Sequence, residues 1–194
     1  MKKQLLSFML TLCLVMSLVP ATALAEENGQ ESKTVITAVD ELLQFAKDVN
    51  AGKYDNRTNA VVSLEADLDL TGVEWTPIGC TNDEGDVEHY FSGKFYGNGH
   101  SISNIDYASM YGKEDIGGLF GFLGGGAEIS GLTLKGNIDD AGEGYVFLGT
   151  LAGYTDGAKI SDCISEVVFN NHDKYINGTF GLCGYCLLYT SPSP

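Results

Sequence analysis

The chain has 194 residues, 25 of them glycine, and 26 acidic against 11 basic side chains give it a formal charge of −15. That length fits one domain. The charge repels nucleic acid and anionic lipid, which leaves neutral glycans, surface proteins with basic patches, or cations as partners; it also serves plain solubility.

The first residues read as an export signal. Lys2 and Lys3 precede the apolar run Leu5 to Val19, and Pro20 with Ala23-Leu24-Ala25 makes a small-residue exit. Together they predict a signal peptide over 1–25, cleaved after Ala25. The apolar run is shorter than the ~20 residues that span a bilayer, so no membrane insertion is expected after cleavage. The expected location is secreted or at the cell surface. Residues 26–33 are polar and predict a disordered linker.

A short helix is expected within 34–52, where Thr37 stands as N-cap and apolar residues recur at Val39, Leu42, Leu43, Ala46 and Val49 before Asn50-Ala51-Gly52. From Ala60 to Leu70 the period changes to two. Val62, Leu64, Ala66, Leu68 and Leu70 fall on one face, and Glu65, Asp67 and Asp69 on the other. Acids spaced about 7 Å apart on one strand face suit glycoside hydrolysis or calcium binding, or simply a solvated outer face.

The loop Thr81 to His89 holds Asp83, Glu84, Asp86 and Glu88, which are candidate oxygen ligands for calcium without the spacing of an EF-hand. No other cofactor is implied. The stretch Phe91 to Ile105, FSGKFYGNGHSISNI, has the ingredients of a site. Lys94 lacks the phosphate-loop spacing, and the glycines open a strand instead of a nucleotide-binding helix. Gly97-Asn98-Gly99 therefore predicts a tight turn with positive φ, and His100 a corner residue. A catalytic reading of His100 would need a partner acid or nucleophile.

Internal similarity follows. Ile-Ser-x-apolar segments begin at Ile102, Ile129 and Ile160, and Gly-rich apolar segments place Leu119, Leu151 and Leu182 in one frame. Each unit buries little alone, and stacked units can share one core, as in a solenoid. In this frame Cys163 aligns with Leu132 and Ile105, and Cys183 with Ala152 and Phe120, so both cysteines read as small buried residues. Cys80 and Cys163 form a candidate disulfide, and Cys183 and Cys186 a C-x-x-C.

On the residues GGLFGF, GTLAGY and FGLCGY with their trailing Ile-Ser strands, and on the order of the helix, the Val61–Gly79 strand region and FSGKFYGNGHSISNI before them, the chain resembles exported bacterial proteins carrying the GLUG motif. The resemblance covers about Val35 to Tyr185. It implies an all-β fold, a right-handed parallel β-helix over 58–185 with the early helix as its N-terminal cap. Tyr96 stands where those proteins usually carry an acid. Residues 186–194 break the frame and resemble a translated adapter tail, so a truncated chain is expected.

The function this implies is a non-catalytic, adhesin-like module for contact with a glycan or a host or surface protein. Tyr90, Tyr96, Tyr107, Tyr111, Tyr145 and Tyr154 are candidate sugar-stacking rings. The alternatives are a purely structural stalk of a larger surface protein, or an accessory part of a polysaccharide-degrading enzyme.

Overall fold

The computed structural model describes residues 33–81, 87–106, 116–139, 147–170 and 182–187. The leader, linker residues 26–32, Asp83, Glu84, Asp86, Tyr107, Tyr111, Tyr145 and the tail from 188 lie outside them.

The described chain opens with a strand, β1 (Lys33–Ile36), where linker and helix were expected. Its sequence, Lys-Thr-Val-Ile, is rich in β-branched residues. The helical period begins only at α1 (Val39–Asn50), which buries Leu42, Phe45, Ala46 and Val49. Thr37 is not its N-cap; Ala38 is. Ala38 has no side-chain oxygen, so Glu41 does the capping and accepts from the backbone N–H groups of Thr37 at 2.6 Å and Ala38 at 3.2 Å. Those bonds hold the Glu41 carboxyl below its ordinary range.

The expected single strand from Ala60 to Leu70 is two strands, β2 (Val61–Leu64) and β3 (Leu68–Asp69), on different sheets. The chain turns a corner at 65–67 and keeps its parity: Val62, Leu64, Leu68 and Leu70 are all buried. An unbroken alternation therefore conceals the bend. An antiparallel hairpin, β4 (Cys80–Thr81) and β5 (Val87–His89), then leaves the coil.

The second coil comprises β6 (Lys94–Tyr96), β7 (Ser101–Ser103), β8 (Ile116–Gly117) and β9 (Phe120–Leu123). The third has β10 (Glu128–Ser130), β11 (Thr133–Asp139), β12 (Phe147–Leu148) and β13 (Ala152–Asp156). The fourth has β14 (Lys159–Ser161), β15 (Ile164–Asn170) and β16 (Cys183–Leu187). Stacking these coils in parallel gives a solenoid of about four turns. Its faces are a five-stranded sheet β1-β2-β6-β10-β14, a four-stranded sheet β3-β7-β11-β15 and a three-stranded sheet β9-β13-β16; β8 and β12 form a further short pair.

The register fixes the core. Val62, Phe95, Ile129 and Ile160 form one inward column. Leu68, Ile102 and Leu134 form another. Phe120, Ala152 and Cys183 form the third. Ile102 therefore does not align with Ile129 and Ile160, although the three share an Ile-Ser string. Phe95 takes the place given to Ile102, which lies one face further on. Likewise Cys163 follows Leu132 in register, and the counterpart of Leu132 in the second coil is His100, not Ile105. Leu119 and Leu151 are fully buried and Leu182 partly so, each just before the third column.

Phe45 of α1 meets Phe91 and Phe95 at 5.4 and 6.1 Å between ring centroids, and Phe120 meets Phe95 at 5.7 Å. The helix thus packs its aromatic ring against rings at the start of the second coil. Asn50 ties its end down: the side chain donates to the Pro77 carbonyl at 2.9 Å and accepts from the Gly79 N–H at 2.7 Å. Trp75 is buried and donates from its indole to the Gly118 carbonyl of the next coil.

Candidate functional site

The GNGH corner builds itself from backbone geometry. Asn98 and Gly99 have φ of 53° and 82°, and the His100 N–H donates to the Gly97 carbonyl at 2.8 Å. Positive φ at both central residues is the mark of a type I′ turn, which Asn-Gly favours.

Glu65, Asp67 and Asp69 each reach across to this second coil. The Asn98 amide donates to Ser63 Oγ at 2.9 Å, to the Leu64 carbonyl at 3.0 Å and to Glu65 Oε1 at 3.3 Å. Asp67 Oδ1 accepts from the Ser101 N–H at 2.7 Å and its hydroxyl at 3.2 Å, with His100 Nδ1 at 3.4 Å. Asp69 Oδ1 accepts from the Thr71 hydroxyl at 2.7 Å and the Asn104 amide at 2.9 Å. The three carboxylates are stitches between coils.

Hydrogen bonds from Ser101, and then the contact with His100, hold the Asp67 carboxyl below its ordinary range; bonds from Thr71 and Asn104 do the same for Asp69. A folded-state pKa below the unfolded value of about 3.9 adds stability above that value and loses it as pH falls through the folded one. Stability should therefore drop between about pH 5 and lower pH. Urea midpoints at pH 6 and pH 3 should differ less in an Asp67→Asn/Asp69→Asn double variant than in wild type.

His100 does gain an acid neighbour, Asp67, from 33 residues upstream in the sequence. Asp67 is already committed to the Ser101 N–H, however, and the Ser101 hydroxyl donates to that carboxylate. The ring lies at the rim of a turn and is one-third exposed. These contacts orient a corner. They do not line up a base with a nucleophile.

Of the acidic loop, Glu88 is described. It is half-exposed on β5, with Oε1 4.0 Å from His89 Nε2. The other ring nitrogen of His89, Nδ1, lies 2.9 Å from Asp55 Oδ2, which ties the hairpin to the loop after α1. Among the described residues no three His, Cys, Asp or Glu side chains are grouped to hold a metal. Cys163 is a free thiol, raised in pKa first by its burial; its Sγ–H faces the Ser161 carbonyl at 3.3 Å. Cys183 is partly buried against the core.

The candidate rings among the described residues, Tyr90, Tyr96 and Tyr154, separate into two kinds. Phe122 and Tyr154 stack at 4.8 Å with planes 10° apart, and Tyr90 meets Phe122 at 6.0 Å. That spacing equals one strand step along the solenoid. The rings face each other, and stacking surface between them is closed to a sugar. Phe122 escaped notice in the sequence, although it holds the place in GLFGF that Tyr154 holds in TLAGY. Tyr96 differs: it has no ring partner among the described residues. It is half-buried in the outward column Ser63–Tyr96–Ser130–Ser161, beside the column Val61–Lys94–Glu128–Lys159.

Taken together, the fold and this outer face define a parallel β-solenoid with one aromatic side chain set among hydroxyls and charges. No family model, curated protein or solved structure matches the chain.

Proposed function

We propose that the chain is a non-catalytic, exported, cell-surface module of the GLUG type. It makes contact with a glycan through the outer face of the five-stranded sheet. The observation that carries this reading is Tyr96. It pairs in register with Ser63 and Ser130, with Lys94 and Glu128 on the neighbouring column; Ser63 is buried and its hydroxyl is bonded to Glu65 and Asn98, so the half-exposed hydroxyl beside the ring is that of Ser130. A ring with the Ser130 hydroxyl and the charges of Lys94 and Glu128 beside it offers an apolar platform next to hydrogen-bonding groups, the combination a sugar needs. The non-catalytic half of the reading is supported by the use of Glu65, Asp67 and Asp69 as stitches between coils.

Neutral oligosaccharides on an array, followed by titration calorimetry of any hit, test this. Tyr96→Ala should weaken binding at least tenfold, which corresponds to about 1.4 kcal/mol. The unfolding midpoint should move little, because the side chain faces outward. Binding that survives Tyr96→Ala moves the site elsewhere. Absence of any glycan ligand favours a structural stalk.

A further inference from the structure

We infer that the ligand of the five-stranded face is an acidic polysaccharide with a carboxylate on every second sugar, its chain running across the strands along the solenoid. This rests on the glycan reading of the Tyr96 face and names the class of sugar. The outward column beside Tyr96 runs Lys33–Val61–Lys94–Glu128–Lys159 through the five strands. Three of the seven lysines and arginines among the described residues thus stand in one line. The other outward column, Val35–Ser63–Tyr96–Ser130–Ser161, carries no charge. Glu128 is therefore the one acid set against three lysines on these columns.

The lysines are available. Ion pairs among the described residues engage Lys33, Lys53 and Lys135, and leave out Lys94 and Lys159. Lys33 lies 3.9 Å from Glu65 with both side chains exposed, a pair weak enough for a ligand to displace. The formal charge of −15 repels an acidic polymer at long range, but that field is screened within ~8 Å at physiological salt. At contact the column decides.

Spacing selects the pattern of charge. Neighbouring strands are about 4.8 Å apart, so Lys33, Lys94 and Lys159 recur every ~9.6 Å. A pyranose unit advances its chain by nearly one strand step, so alternate sugars meet lysines. The sugars between them meet Val61 and Glu128. A carboxylate on every sugar would set one against Glu128, whereas a neutral sugar there donates a hydroxyl to it. Tyr96 lies two residues along β6 from Lys94, ~7 Å away on the same face. A sugar stacked on the ring can turn its carboxylate toward that lysine.

Titration calorimetry of the purified chain with three probes tests this. They are a hyaluronan hexamer, with a carboxylate on every second sugar, hexagalacturonate, with one on each sugar, and neutral cellohexaose. The hyaluronan hexamer should bind tightest. A Lys33→Gln/Lys159→Gln variant, checked for its circular dichroism spectrum, should cut the preference for it over cellohexaose roughly threefold or more. Glu128→Gln should raise the affinity for hexagalacturonate relative to the hyaluronan hexamer, a readout independent of the lysines. Cellohexaose bound as tightly as the hyaluronan hexamer overturns this inference and leaves the glycan reading standing. Hexagalacturonate bound tightest in wild type overturns the alternate spacing, and with it the inference. A preference that survives in the folded lysine variant overturns it equally. Failure of all three probes, with no other glycan bound on the array, overturns the glycan reading as well.

Discussion

Leu151→Asp should abolish cooperative unfolding, leaving no sigmoidal urea transition in far-ultraviolet circular dichroism. Leu151 is fully buried. Its N–H donates to the Leu182 carbonyl, and the Leu119 coil lies on its other side through the bond from Phe120 N–H to the Leu151 carbonyl. A carboxylate there would be taken out of water among apolar side chains, at a cost of several kcal/mol. Loss of the leucine contacts adds roughly 2–5 kcal/mol. The whole stability of a domain is about 5–15 kcal/mol. The position is also central to the stack, so damage spreads to both adjacent coils, since each coil is stable largely through its neighbours. A variant that melts like wild type would mean that Leu119, Leu151 and Leu182 do not share an inward frame.

That frame was legible in the sequence because Gly-Leu segments recur at nearly constant spacing. Phe120, Ala152 and Cys183 pair as their strings predicted. The other frame misled for a physical reason. An inward isoleucine followed by an outward serine suits two different faces of the coil, so Ile-Ser occurs on both. Ile102 lies beside Leu134 on one face, and Ile129 beside Ile160 on another. The true spacing from coil one to two to three runs Val62, Phe95, Ile129. Phenylalanine in the middle hides it from a search for identical strings.

The same spacing would have brought the corner together. Counting one coil on from Asp67 leads to the His100-Ser101 corner, and one coil on from Asp69 to Ser103, next to Asn104. Read along a single strand, the acids are a solvated row; read across coils, each has a donor waiting. The exception is Tyr96. Its exposure depends on what flanks it in the two adjacent coils, and only the register supplies Ser63 and Ser130. The Tyr90, Phe122 and Tyr154 rings show the converse, since aromatics at matching places in successive coils spend their faces on one another.

Gly97→Ala should cost more than Gly99→Ala, although of the two only Gly99 has positive φ. Gly99 has φ of 82° and open space around its Cα. Alanine there pays only for a left-handed backbone, roughly 1–2 kcal/mol. Gly97 has no such φ, yet a Cβ on it would lie 2.5 Å from the Gly131 carbonyl oxygen and 2.6 Å from Leu132 Cα. Those are backbone atoms of the third coil and have no rotamer to escape into. Relief requires moving the coils apart, against the bonds from Gly97 N–H to Ser130 and from Gly99 N–H to Gly131, both 2.7 Å. The expected loss is about 3 kcal/mol, the upper end for overpacking. Urea midpoints of the two variants, measured side by side, decide between the causes. If Gly99→Ala is the worse, the corner is governed by its own turn. If Gly97→Ala is the worse, it is governed by the coil stacked on it, and a histidine placed there owes its position to the solenoid.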